Sequence, residues 1–189
     1  MLTQDHRVAL YMEGALGTDI GKMGYGVLRY STNSVVAVID SQHQGKRVED
    51  VIPPTYGVQN PPVVGSIDEA AALGANALIL GIAPLGGNVP EAWWSVIENA
   101  LAKGMLLVNG LHDRIRDRYP ASADLIWDIR VEPEGIGSGK GLARTLPNRR
   151  VLFVGTDMAA GKMTAGLEVW RAARLRGIDA AFVATGQIG

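Results

Sequence analysis

The 189-residue sequence contains no cysteine. That absence excludes disulfides, thiolate zinc sites, iron–sulfur clusters and a cysteine nucleophile together, and it suits a reducing, intracellular compartment. An excess of either charge is also missing. With 18 basic against 19 acidic side chains the formal net charge is -1, so no global field exists to hold a nucleic-acid backbone. Long apolar runs are absent as well: none approaches the roughly 20 residues that a membrane helix needs. Near the N-terminus Asp5, His6 and Arg7 interrupt any leader-like pattern. The expected partner is a small molecule in the cytoplasm, with no nucleic acid and no membrane. Low complexity is missing too. The 24 glycines and 9 prolines make up about a sixth of the chain, below the quarter or more of biased sequences. This length allows one full domain, or one and a fraction.

What is present is an alternation of short apolar runs and helical segments. The runs are continuous, as strands buried on both faces should be. The pattern predicts strands at Arg7–Met12, Ser34–Asp40, Ala77–Ile82, Met105–Asn109, Leu125–Ile129, Val151–Val154 and Ala180–Ala184. Helices fall between them. One covers Lys22–Tyr30; a second starts at Ser66, where Ser66 and Glu69 fit a capping box. A third covers Pro90–Lys103, with proline in its first turn and Gly104 past its end. The fold class is therefore α/β: a Rossmann-like parallel sheet, followed by the first βαβ unit of a P-loop NTPase-like domain. Residues 1–130 form the Rossmann-like domain and 131–150, rich in glycine, proline and charge, a linker. Residues 151–189 read as the start of the P-loop domain, cut short. One βαβ unit cannot bury its own faces. Its strand edges predict homo-oligomerisation.

The sharpest motif runs Gly155, Thr156, Asp157, Met158, Ala159, Ala160, Gly161, Lys162, Met163, Thr164, directly after a strand and directly before a helix. Glycines let backbone N–H groups turn inward on an anion, the helix N-terminus adds partial positive charge, and Lys162 adds a full one. These ten residues are the candidate cofactor-binding set. Five residues separate Gly155 from Gly161, where the standard loop has four, and Met163 stands where that loop has the hydroxyl that ligates magnesium. No metal ligands are assigned. The pattern suits cradling of a pyrophosphate or phosphate ester, which coenzyme A also carries, better than metal-bridged hydrolysis.

The spacing and the Gly-Thr-Asp opening resemble the phosphate loop of dethiobiotin synthetase. The whole chain resembles something closer. Taken together, RVALYMEG, GKMGYGVLRYS, VVAVIDS, LILGIAPLGG, LLVNGLH, LIWDIR, RTLPNRRVLFVGTDMAAGKMT and VATGQ are similar to a family catalogued as a domain of unknown function. Its members join an N-terminal Rossmann-like domain to a C-terminal P-loop domain and include a D-glutamate N-acetyltransferase. The resemblance implies acetyl transfer from acetyl-CoA to the amine of D-glutamate or a similar acidic D-amino acid. It also implies that part of any active site lies outside this chain. Two alternatives remain: an ATP-dependent ligase or kinase of the dethiobiotin synthetase kind, with Lys162, Thr164 and magnesium at work, and a non-catalytic nucleotide-binding protein.

The first domain offers further candidates. Gly14 to Gly24 departs from the Gly-x-Gly-x-x-Gly fingerprint, although an acid, Asp40, ends the next strand. Dinucleotide binding stands beside a plainer reading, in which the glycines build a long loop and Asp40 caps a strand end. The segment Gly17-Thr18-Asp19-Ile20-Gly21-Lys22-Met23 echoes the phosphate loop with two residues missing, so it could hold an anion by the same backbone geometry. His112 follows the strand that ends at Asn109, where open α/β sheets bind ligands. With Lys162 it is the candidate catalytic pair, His112 as the base for an ammonium group. A surface histidine beside Asp113 and Arg114 is the other reading. Asp128 and Arg130 share one face of their strand, and either Arg130 or Arg144 could hold a carboxylate bidentately.

Overall fold

A computed structural model of the chain describes residues 1–53, 59–132, 134–135, 137–157 and 160–184. Two compact units are present, Met1–Val131 and Glu132–Gly189.

The first unit is a six-stranded sheet. Its strands are β1 (Val8–Tyr11), β2 (Val35–Ile39), β3 (Val63–Val64), β4 (Ala77–Leu80), β5 (Leu106–Asn109) and β6 (Ile126–Asp128). Their order is β3-β2-β1-β4-β5-β6 and every neighbouring pair is parallel. This is the doubly wound Rossmann order, whose winding reverses between β1 and β4. Successive side chains on a strand point to opposite faces, so both faces must be covered. Ala9 and Tyr11 of β1 join Leu78, Leu80 and Leu107 in one core, under α2 (Ile67–Ala72) and α3 (Trp94–Ala102). Val8 and Leu10 join Val38, Ile79 and Val108 in the other, under α1 (Lys22–Tyr30).

Local signals start and stop these helices as their sequences predict. Ser66 accepts the Glu69 N–H at 3.2 Å and so caps α2. A 3-10 turn at Glu91–Trp93, entered from Pro90, leads into α3, and Gly104 with φ of +73° ends it. Ile97 of α3 is fully buried, which stabilises the layer by about 1.5–3 kcal/mol. A short helix, α4 (Ile115–Arg118), precedes β6.

In the second unit the described residues hold a 3-10 turn at Leu142–Thr145 and one long helix, α5 (Lys162–Leu175). The strands predicted at Val151–Val154 and Ala180–Ala184 do not form. A strand exists only through hydrogen bonds to a neighbour, and these two segments do not pair with each other. They nevertheless meet the same face of α5. A β-carbon at Gly166 would lie 2.9 Å from Phe182 and 3.3 Å from Phe153, and Trp170 Nε1 donates to the Ala180 carbonyl at 2.9 Å. No helix among the described residues is long and apolar enough to cross a membrane.

Candidate functional site

The carboxyl edge of the first sheet carries the loops after β4, β5 and β6, where open α/β sheets place ligands. The structure brings His112 and Arg130 together there. Arg130 Nη1 donates to His112 Nε2 at 3.5 Å, and both side chains are exposed. Because a guanidinium has no acceptor, this contact points the Nε2 lone pair of His112 at Arg130. The His112 backbone N–H donates to the Gly87 carbonyl at 2.7 Å, which ties the loop after β5 to the loop after β4. Arg144 lies in the other unit.

Beneath this pair sits a buried polar network. Asn109, at the end of β5, has no solvent exposure. Its Nδ2 donates to Asp128 Oδ1 at 2.8 Å and to the Asp113 carbonyl at 2.7 Å, and its Oδ1 accepts the Leu111 N–H at 2.9 Å. Asp128 in turn accepts the backbone N–H groups of Ile115 and Arg116 at 3.2 and 3.0 Å. The Asp113 carboxylate accepts from Val89 N–H. Two arms of the network end on the backbone of Leu111 and Asp113, the residues that flank His112. A fully satisfied network of this kind fixes one geometry.

At the winding-reversal point between β1 and β4, α1 packs closely on the sheet. Gly24 N–H donates to the Gly81 carbonyl at 2.8 Å, and a β-carbon at Gly24 would meet Met12 Sδ at 2.5 Å. These glycines let α1 pack closely against β1 and β4. Asp40 is fully buried and serves as a cap, accepting the Gln42 N–H at 3.1 Å and contacting His43 Nδ1 at 3.1 Å. This agrees with the reading of Asp40 as a cap at the strand end.

The loop that echoes the phosphate motif uses three of its N–H groups internally. Gly17 donates to the Tyr25 hydroxyl at 2.8 Å, Thr18 to Ala15 O at 3.1 Å and Gly21 to Thr18 O at 3.3 Å. Burial, chiefly, pushes the Tyr25 hydroxyl above its usual range, against the lowering pull of its backbone bonds to Gly17 and Thr18. The exposed Lys22 lines a cleft of about 250 Å³ with Thr18, Asp19, Tyr25 and Val51.

In the second unit the phosphate motif leads into α5 as its sequence predicts. Gly161 precedes the helix with φ of +82°, a left-handed turn that favours glycine. Lys162 folds back over the loop, its Nζ donating to the Asp157 carbonyl at 2.5 Å. A β-carbon at Gly155 would lie 3.0 Å from Lys162 Cγ and 3.1 Å from Cδ, so the bare glycine makes room for the lysine stem. The ammonium is thereby held at the loop and at the positive end of a 14-residue helix. This arrangement fits a phosphate group. Met163 is half-buried and Thr164 exposed; one residue along a helix is a rotation of about 100°, so Thr164 does not replace the hydroxyl expected at 163. Met158 and Ala159 lie outside the described residues. Among the described residues no cluster of His, Asp and Glu could hold a metal ion.

Sequence reasoning singled out His112, Lys162 and the strand-end loops that hold Gly87 and Asn109, but not the Gly87–His112 contact or the Asn109–Asp128 bond. The one available signal was a run of polar residues at the ends of buried strands.

Two family models match the chain. One, described as "Domain of unknown function (DUF1611_N) Rossmann-like domain", matches residues 41–132; the other, "Domain of unknown function (DUF1611_C) P-loop domain", matches residues 137–189. Among curated proteins, a D-glutamate N-acetyltransferase from Pseudoalteromonas sp is 38% identical over 131 residues, 66% of this chain and 39% of that protein. One of the same name from Tritonibacter scottomollicae is 35% identical over 130 residues, 66% of this chain and 38% of that protein. The chain thus matches about two fifths of the length of these relatives. A crystal structure of a DUF1611 family protein from Anabaena variabilis superposes with a TM-score of 0.86 at 42% identity, over 97% of this chain and 54% of that one.

Proposed function

Because the chain carries both domains of the DUF1611 family and so belongs to it, we propose that the full-length protein moves an acetyl group from acetyl-CoA to the amine of D-glutamate or a similar acidic D-amino acid. The observation that carries this reading is the phosphate loop with Lys162 folded over Gly155, in a chain whose curated relatives are named for that transfer. Residues 155–164 would hold the phosphates of coenzyme A through backbone N–H groups and the Lys162 ammonium. Methionine at 163 supports cradling over hydrolysis, because metal-bridged phosphates need a hydroxyl at that place.

His112 is assigned as the base. The amino acid arrives as an ammonium ion, and Nε2 of His112 takes one proton from it. The amine nitrogen then attacks the thioester carbon: a C–N bond forms, the C–S bond breaks and its electron pair leaves on sulfur. The surplus proton of the new amide passes to the thiolate, and His112 returns its own to water.

A second reading, an ATP-dependent ligase or kinase, draws on the Gly-Thr-Asp opening of the loop and would use Lys162 and Thr164 with magnesium. One assay separates the two. Thiol release from acetyl-CoA that depends on D-glutamate, persists in EDTA and yields an N-acetylated product by mass spectrometry is expected. Activity abolished by EDTA, with phosphate released from ATP, would sink the acetyl-transfer reading. If neither acetyl-CoA, CoA nor ATP shifts the melting temperature, the protein is no nucleotide-handling enzyme of either kind.

A further inference from the structure

The carboxyl edge of the first sheet sets a cation beside a base, and phosphate binding uses neither. Arg130 Nη1 and His112 Nε2 are 3.5 Å apart, at the outer limit of a hydrogen bond. A carboxylate would offer the same guanidinium two parallel charge-assisted bonds, each roughly twice as strong as a neutral one. In competition for Arg130 the carboxylate therefore wins, and the Nε2 lone pair is released. Backbone bonds hold the two loops in register. His112 is tied through its N–H to Gly87, and the Ile129 N–H, next to Arg130, donates to the Asn109 carbonyl at 3.0 Å.

The short separation also says which carboxylate fits. In an α-amino acid the ammonium and the α-carboxylate are borne on one carbon, so they can meet two groups 3.5 Å apart at once. The side-chain carboxylate of glutamate stands two methylenes further away and cannot share that spacing. We propose that Arg130 anchors the α-carboxylate of the acceptor amino acid, and that this engagement turns the guanidinium from Nε2 and frees His112 to take the ammonium proton. The chemical class recognised is the α-amino acid head group. The assignment of the proton transfer rests on the acetyl-transfer reading above; the binding geometry does not.

Calorimetric titration of the full-length protein, without acetyl-CoA, tests the subsite by itself. Three probes are used: D-glutamate, D-norvaline, which lacks the side-chain carboxylate, and 4-aminobutyrate, which is glutamate without its α-carboxylate. Arg130→Ala is expected to weaken D-glutamate and D-norvaline alike, by about 10- to 100-fold, and to leave 4-aminobutyrate within about twofold. Arg130→Lys should fall between, keeping charge but losing the planar fork. In turnover the same variant should raise KM for D-glutamate and leave KM for acetyl-CoA unchanged. Binding that depends on Arg130 in a protein that transfers no acetyl group would leave the subsite standing and overturn the transferase reading. Equal affinity of wild type and Arg130→Ala for D-glutamate, an equal loss for 4-aminobutyrate, or no D-glutamate binding at all overturns the subsite.

Discussion

Gly87 and the His112 ring are in contact so close that a β-carbon on Gly87 would fall 2.1 Å from Cδ2 and 2.6 Å from Nε2. Gly87 also has φ of +73°, a conformation that costs an L residue roughly 1–2 kcal/mol. Gly87→Ala must therefore strain the backbone and push the imidazole off its seat. A loss of about 1–3 kcal/mol of stability is expected, with a raised KM for the acceptor and an unchanged KM for acetyl-CoA. Urea unfolding together with the two KM values checks this. A variant that unfolds earlier with both KM values untouched would show that the seat of His112 is structural only.

The Asn109–Asp128 bond predicts a larger stability effect. Asn109→Leu keeps the branched shape at the end of β5 but leaves the Leu111 N–H and the Asp113 carbonyl without their partner and takes from Asp128 Oδ1 one of its two donors. An unsatisfied buried group costs about 1–3 kcal/mol, so a total of about 2–4 kcal/mol is expected. It should show as a lower urea midpoint at constant slope. A midpoint equal to wild type would mean that water takes over these bonds and that the network does not hold the site.

How much of this was legible beforehand depends on the range of the interaction. Strands β1, β2, β4, β5 and β6 were readable because each is an apolar run long enough to stand alone. β3 was not: Val63–Val64 is two residues after two prolines, and only its pairing with β2 makes it a strand. The segments Val151–Val154 and Ala180–Ala184 err the other way, with strand composition but no ladder. In the candidate site, local chemistry was visible and convergence was not. The phosphate loop is contiguous, so its turn, helix start and lysine could be read together. His112 and Arg130 are 18 residues apart, on the ends of adjacent strands. Only the register of β5 on β6, which sets Asn109 opposite Asp128, brings them into reach.

Tyr11 predicts an alkaline limit to stability. Its ring is buried edge-on to Trp93, with centroids 5.1 Å apart. Burial, and then the Glu13 charge, push its hydroxyl up to about 12. The unfolded chain releases that proton near pH 10, so the folded state binds more protons between those values and loses stability as pH rises. The contribution is complete below pH 10 and fades through pH 12, by up to about 2–3 kcal/mol. Tyr11→Phe should therefore show a shallower fall in urea midpoint than wild type from pH 9 to 11.5. Parallel curves would refute the assignment.

The Lys162 ammonium sits on the Asp157 carbonyl and its stem on Gly155, so the charge is placed at the loop before any ligand arrives. Removing it takes away a charged hydrogen-bond donor, worth about 1.5–3 kcal/mol. Lys162→Ala should thus weaken CoA binding by about 10- to 100-fold and flatten its salt dependence. Thermal stability should hardly move, since surface substitutions are usually within about 0.5 kcal/mol. Gly155→Ala reaches the same end by crowding the lysine stem, with the charge retained. Thr164→Ala supplies the contrast: its hydroxyl is exposed and one position past the metal-ligand place, so CoA affinity should stay unchanged. Unaltered CoA affinity in Lys162→Ala would refute the phosphate loop, whereas a magnesium-dependent loss of ATP binding in Thr164→Ala would move the assignment to the ATP-dependent reading.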